Sequence, residues 1–110
     1  MAGIPSGNGS EVLKRTQVDG NSDAWTNLIP GEADHIYTVL SIVAHNKDGA
    51  EIETIYIRVG SVYLLSASLG GSETFIWNDK FVVSGAENLQ MYNTAGDVDW
   101  YCSYIEQDWS

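Results

Sequence analysis

From His35 to Ser68 apolar and polar residues alternate, break at Asn46-Lys47-Asp48-Gly49, and alternate again. Period-two patterning of this kind predicts β-strands rather than helices. The segment "HIYTVLSIVAH" places Ile36, Thr38, Leu40, Ile42 and Ala44 on one expected face and Tyr37, Val39, Ser41 and Val43 on the other. Val39 and Val43 make the second face half apolar, which predicts a central strand covered on both sides.

The rest of the chain repeats the theme. "EVLKRTQV" reads as a strand closed by the turn "DGNSD", and Trp25 to Ile29 as a second, ended by "PGEAD". After the long strand, Asp48-Gly49 is a hairpin signal. "IETIYIRV" and "SVYLLSAS" follow, rich in β-branched and aromatic residues and divided at Gly60. "TFIWNDKFVV" holds two short strands around Asn78-Asp79. "LQMYN" and "VDWYCSYIEQ" complete the series. Turn signals recur about every 8 to 12 residues, the spacing of an antiparallel sandwich or barrel. The expected fold is all-β: an antiparallel, jelly-roll-like β-sandwich of about eight strands. "MAGIPSGNGS", poor in groups that can anchor it, predicts a flexible N-terminal arm over residues 1–10, with a single sandwich domain over 11–110.

Length permits one domain with one modest core, since a chain of 110 residues buries roughly 65% of its unfolded surface. Hydrophobic residues make up 44%, a globular composition. Fifteen acidic and five basic residues leave a net charge of −10, which argues against a nucleic-acid partner and favours a soluble, self-repelling surface. No apolar run reaches the roughly 18 residues of a membrane helix, and no membrane partner is expected. The N-terminal residues lack a basic segment leading into an apolar one, so synthesis and retention in a cytoplasm until assembly are expected.

Candidate chemistry is sparse. Cys102 is the lone cysteine, at the parity of Val98, Trp100 and Tyr104, and reads as a buried thiol acting as a small hydrophobe. His35 and His45 flank the long strand; ten extended residues span roughly 33 Å, so they share no metal and read as strand-end surface residues. The pairs Asp97/Asp99 and Glu51/Glu53 read as solvated carboxylates rather than calcium ligands. No GxSxG, HExxH or phosphate-loop motif is present. No catalytic residue, metal or cofactor is expected, and the chain reads as a non-enzyme.

Aromatic residues are abundant: four Trp, six Tyr and two Phe. Rings of this kind fill cores and subunit interfaces. Trp25, Trp77 and Trp109, with Met1 and Ile4 of the arm, are therefore the candidate interface residues. Exposed Trp and Tyr on a β-sandwich also stack on sugar rings, which keeps a carbohydrate-binding module as an alternative.

The order "IPGEADHIYTVLSIVAHN … IETIYIRVGSVYLL … FIWNDKFVVSGAENLQMYNTAGDVDWYCSYIE" resembles small β-sandwich virion accessory and decoration proteins of tailed bacteriophages. The resemblance is carried by the Pro30-Gly31 turn, the strand from Tyr37 to Asn46, Val59 to Leu65, the step from Gly85 to Leu89, and the strand from Val98 to Glu106. It implies a capsid decoration (cement) protein, made in the host cytoplasm and bound to the outer surface of the virion. There it would bridge major capsid subunits as a homo-oligomer, a trimer being the favoured geometry. A neck, tail or fibre component of the virion is the alternative within the same resemblance.

Overall fold

A computed structural model describes residues 11–94 and 96–108. Among them are nine strands, one more than the approximate number expected from sequence. They are β1 (Glu11–Asn21), β2 (Thr26–Ile29), β3 (His35–Asn46), β4 (Glu53–Val59), β5 (Val62–Leu69), β6 (Thr74–Trp77), β7 (Phe81–Ser84), β8 (Leu89–Asn93) and β9 (Val98–Asp108). All pairings are antiparallel. One sheet has the order β1-β9-β3, with β6 and β7 both along the far side of β3; the other runs β2-β8-β4-β5. The two sheets face each other as a β-sandwich. The expected arm, with Met1 and Ile4, and also Trp109, lies outside the described residues.

Clean alternation builds most of the core. Ile55 and Ile57 of β4, Leu89 and Met91 of β8, and Val98, Trp100, Cys102 and Tyr104 of β9 all point inward and are buried. Each large aliphatic side chain removed from water in this way stabilises the fold by about 1.5–3 kcal/mol.

The long strand departs from strict alternation. Its buried residues are Tyr37 and Val39, then Ile42, Ala44 and Asn46. Val39 pairs with Tyr104 of β9 but Ser41 pairs with Ser103, so Leu40 is an extra residue in the ladder. A β-bulge of this kind switches the face presented by everything beyond it. The two expected faces are therefore each half right, and the inward set changes parity at Leu40. The expectation of cover on both sides is also corrected: Ile36, Thr38 and Val43 lie on the outer face of the sheet, half-buried, with no second layer among the described residues.

Asn78-Asp79 does not reverse the chain either. β7 pairs with Ile36–Val39 and β6 with Ile42–His45, both in the same direction, so they are two pieces of one interrupted edge strand. The interruption lies opposite the bulge. Likewise "DGNSD" does not close the first strand, because β1 continues through a second bulge to Asn21, with Gly20 in the left-handed region at φ 71°.

Polar groups join the sheets at one end. Asn93 is fully buried, and its Oδ1 accepts from Asn21 Nδ2 at 2.7 Å and from the indole N–H of Trp100 at 3.1 Å. Its Nδ2 donates to the carbonyl of Asn21 at 2.8 Å. Asn46 donates from Nδ2 to the carbonyls of Glu51, Leu69 and Gly70. Buried amides with these partners satisfied fix a register more sharply than apolar contacts do.

Cys102 is completely buried, as its parity in β9 predicts, and desolvation pushes its thiol up to about 12. The thiolate is thereby suppressed, and with it the nucleophile. Cys102→Ser should lower unfolding free energy by about 1–3 kcal/mol, since the new hydroxyl enters an apolar site. Denaturant titration reads the change, and native protein should resist a bulky thiol reagent that labels the unfolded chain.

Candidate functional site

The sandwich has two outer faces, and their chemistry differs. On the outer face of the four-stranded sheet the ladder aligns Asn27, Gln90, Arg58 and Tyr63 in one row and Tyr92, Tyr56 and Ser66 in the next. Thr54 and Ser68 form a third pair. This follows from alternation, because Ile55, Ile57, Leu89 and Met91 point inward and their neighbours point out. Trp25, just before β2, joins the same face.

The rings form a cluster. Trp25 lies 5.3 Å from Tyr92, 5.7 Å from Tyr63 and 6.4 Å from Tyr56, centroid to centroid. Tyr63 stands nearly perpendicular to both Trp25 and Tyr56, at 85° and 86°. The guanidinium carbon of Arg58 sits 3.6 Å from the Trp25 ring centroid, a cation–π contact. Arg58 Nε donates to Gln90 Oε1 at 2.9 Å, and Gln90 Nε2 donates to Asn27 Oδ1 at 2.9 Å. The Tyr92 hydroxyl donates to Asp23, whose carboxylate raises the phenol above its ordinary value.

The outer face of the five-stranded sheet carries two rows with aliphatic residues, separated by the polar row Arg15, Ser103 and Ser41. One ladder row reads Leu13, Ile105, Thr38, Val82; another reads Gln17, Tyr101, Val43, Ile76. Leu13, Val82 and Ile76 are 70%, 60% and 56% exposed. A groove of about 300 Å³ adjoins the second row, lined by Gln17, Val43, His45, Asp99 and Tyr101 among others.

Two ionic clusters lie near the ends of β3. His35 is not a free surface residue. Its Nδ1 lies 2.6 Å from Glu106 and its Nε2 3.1 Å from Glu32 and 3.5 Å from Asp108. Lys14 Nζ reaches the other Glu106 oxygen at 2.9 Å. The hydrogen bond to Glu106 is the main reason His35 titrates above its ordinary 6.5, with burial opposing. Burial pushes Glu106 up, but the bonds to Lys14 and His35 outweigh it and hold the carboxyl below its ordinary range. At the opposite end Lys47 bridges Asp19 at 2.7 Å and Asp99 at 3.0 Å, and Asp99 accepts from the Gly20 amide at 2.9 Å.

The remaining carboxylates divide. Glu53 is only 2% exposed, contrary to the expectation of a solvated pair, and accepts from Thr94 Oγ1 at 2.5 Å. Gly96, at φ 152°, makes room for it: a Cβ there would lie 2.1 Å from Glu53 Oε2. Among the described residues no group of three or more His, Cys, Asp or Glu is placed to hold a metal.

Of the expected interface residues, Trp25 joins the aromatic face. Trp77 packs instead on the rim of the core, at 5.8 Å from Phe81, and donates its indole N–H to the carbonyl of Asp79 at 2.6 Å. Trp77 belongs to the five-stranded sheet, whereas Trp25 precedes β2 and packs on the outer face of the four-stranded one. Sequence reasoning overlooked Tyr56, Arg58, Tyr63 and Tyr92, although the alternation in "IETIYIRV" and "LQMYN" already sets the first two and Tyr92 opposite the core residues.

No protein-family model matches the chain, and no curated protein matches it in sequence. Solved structures do resemble it. The structure of Bacillus endospore appendages, described as disulfide-linked pili, aligns at 15% identity over 100% of this chain and 98% of that one, with a TM-score of 0.57. The acid-stable capsid structure of Helicobacter pylori bacteriophage KHP30 aligns at 11% identity over 97% and 92%, with a TM-score of 0.55. The nucleoplasmin-like N-terminal domain of Drosophila FKBP39 aligns at 7% over 92% and 93%, at 0.53. At these identities the likeness establishes the β-sandwich fold alone.

The His35 cluster has a pH signature. A histidine raised in the folded state contributes stability that is fully present below 6.5 and fades as pH climbs through its folded value. Wild-type Tm should therefore fall as pH rises above 6.5, and His35→Gln should flatten that fall. An equal fall in both proteins would show that the cluster is not its source.

Proposed function

We propose that this chain is a structural protein of a bacteriophage virion, a decoration (cement) protein on the outer surface of the head. It bridges neighbouring major capsid subunits as a homo-oligomer, with a trimer favoured. The observation that carries this reading is the aliphatic outer face of the five-stranded sheet. Contiguous exposed apolar surface marks interaction sites in soluble proteins. Here Leu13, Ile105 and Val82 share one ladder row and Val43 and Ile76 another, on either side of the polar row Arg15, Ser103 and Ser41.

Two further features support the reading. The fold is shared with a phage capsid structure and with a pilus structure, both repeating assemblies. The net charge of −10 keeps free subunits apart in solution until an interface strong enough to overcome it is offered. Function in this reading is mechanical: added interface holds adjacent capsid subunits together.

Ile76→Lys combined with Val82→Lys tests it. Both side chains are more than half exposed, so the fold should survive with an unchanged far-ultraviolet spectrum and at most a small change in Tm. Sedimentation velocity should show self-association weakened at least about tenfold, equivalent to about 1.4 kcal/mol. The copy number on purified particles should fall in parallel. Normal association and occupancy by the double variant would contradict the reading. A wild-type copy number far below that of the major capsid protein would favour neck, tail or fibre instead.

A further inference from the structure

The aromatic face is on the opposite sheet from the aliphatic one, and its composition calls for a different occupant. Its three ladder rows contain Tyr56, Tyr63, Tyr92, Arg58, Gln90, Asn27, Thr54, Ser66 and Ser68; the exposed aliphatic residues nearby are Val62 and Leu64 of the edge strand β5, Leu64 as the extra residue of its bulge. A protein interface core takes aliphatic and aromatic side chains together, as the other face offers. A surface of rings set among hydroxyls, amides and one guanidinium instead matches a ligand with apolar C–H faces and a rim of hydroxyls. From this juxtaposition we infer that the outer face of the four-stranded sheet, centred on Tyr63 and Arg58, binds a neutral polysaccharide.

The geometry gives each group a part. Tyr63, 54% exposed and nearly perpendicular to Trp25 and Tyr56, presents the most accessible ring. Its negative π-face attracts the slightly positive C–H face of a pyranose. Ring centroids 5.3 to 6.4 Å apart place neighbouring aromatics about one sugar residue from one another. Arg58 is held by the Trp25 ring and by Gln90 through Nε, while its terminal nitrogens make no hydrogen bond and no ion pair among the described residues. Those pre-positioned donors suit hydroxyl oxygens. The chain of bonds from Asn27 through Gln90 to Arg58 fixes the guanidinium before any ligand arrives, which reduces the entropy lost on binding.

Charge selects among glycans. A protein carrying −10 repels a polyanion at long range, and the carboxylate of Asp23 lies on this same face beside Tyr92. A neutral chain meets neither penalty. This inference is independent of the proposed virion role, which uses the other sheet.

Affinity gel electrophoresis of the full chain tests it, with xylan, laminarin or hydroxyethylcellulose as neutral probes and polygalacturonate as the acidic one. At least one neutral polysaccharide should retard the wild-type protein. Tyr63→Ala and Arg58→Met should weaken that retardation by about tenfold or more, whereas Leu13→Lys on the opposite face should leave it intact; unchanged Tm in each variant secures the comparison. Failure of every neutral probe, binding of polygalacturonate alone, or retardation indifferent to both substitutions would overturn the assignment. So would loss of self-association in Tyr63→Ala without any effect on glycan binding, which would make this face a subunit contact.

Discussion

One extra residue, Leu40, in the pairing of β3 with β9 decides what this sandwich buries and what it shows. These are two of the longest strands, and β3 is flanked on both sides in its sheet. Without the bulge, Tyr37 and Val39 would demand one face of β3 while Ile42, Ala44 and Asn46 demanded the other. With it, all five turn inward and Val43 is delivered to the outer face beside Tyr101 and Ile76. The bulge also coincides with the break between β6 and β7, so the edge strand follows the same change of register. Both the core and the aliphatic outer face depend on that single insertion.

The opposite sheet has a different organisation. β4 and β8 pair in unbroken register through five residues, so strict alternation separates Ile55, Ile57, Leu89 and Met91 from Tyr56, Arg58, Gln90 and Tyr92. The buried amides of Asn93, Asn21 and Asn46 tie this sheet to the first, and Glu53 lies two residues before Ile55, the partner of Asn93 in the ladder. Such groups are expensive to bury unless partnered, and here each has at least one partner. They hold two faces of contrasting chemistry back to back, one aliphatic and one aromatic and polar.

Much of this was legible in the residues. Alternation with regular turns is enough to specify an all-β sandwich and to place the strands within a few positions, and the parity of Cys102 with Trp100 already implied its burial. The change of face within β3 was not legible, because a bulge at Leu40 carries no local marker: the run is apolar on both parities. The same holds for Glu53, where a carboxylate in a polar position reads as solvated until Thr94 and Gly96 are brought to it from the loop after β8. His35 looked like a strand-end residue for a similar reason, since its partners Glu106 and Asp108 come from the far end of the chain. The aromatic face was legible in part. Tyr56 and Arg58 share a parity, but only pairing with β8 and β5 gathers Tyr92 and Tyr63 around Trp25.

The central claim is that the two outer faces have separate roles, the aliphatic one covered in the assembly and the aromatic one left open. Hydroxyl-radical footprinting of the free chain and of the chain in its assembled form, read by mass spectrometry at single residues, compares the two faces in one experiment. Protection on assembly should concentrate at Leu13, Ile76 and Val82, with Tyr63 remaining as reactive as in the free chain. Protection of Tyr63 with continued reactivity of Leu13, Ile76 and Val82 would contradict the account.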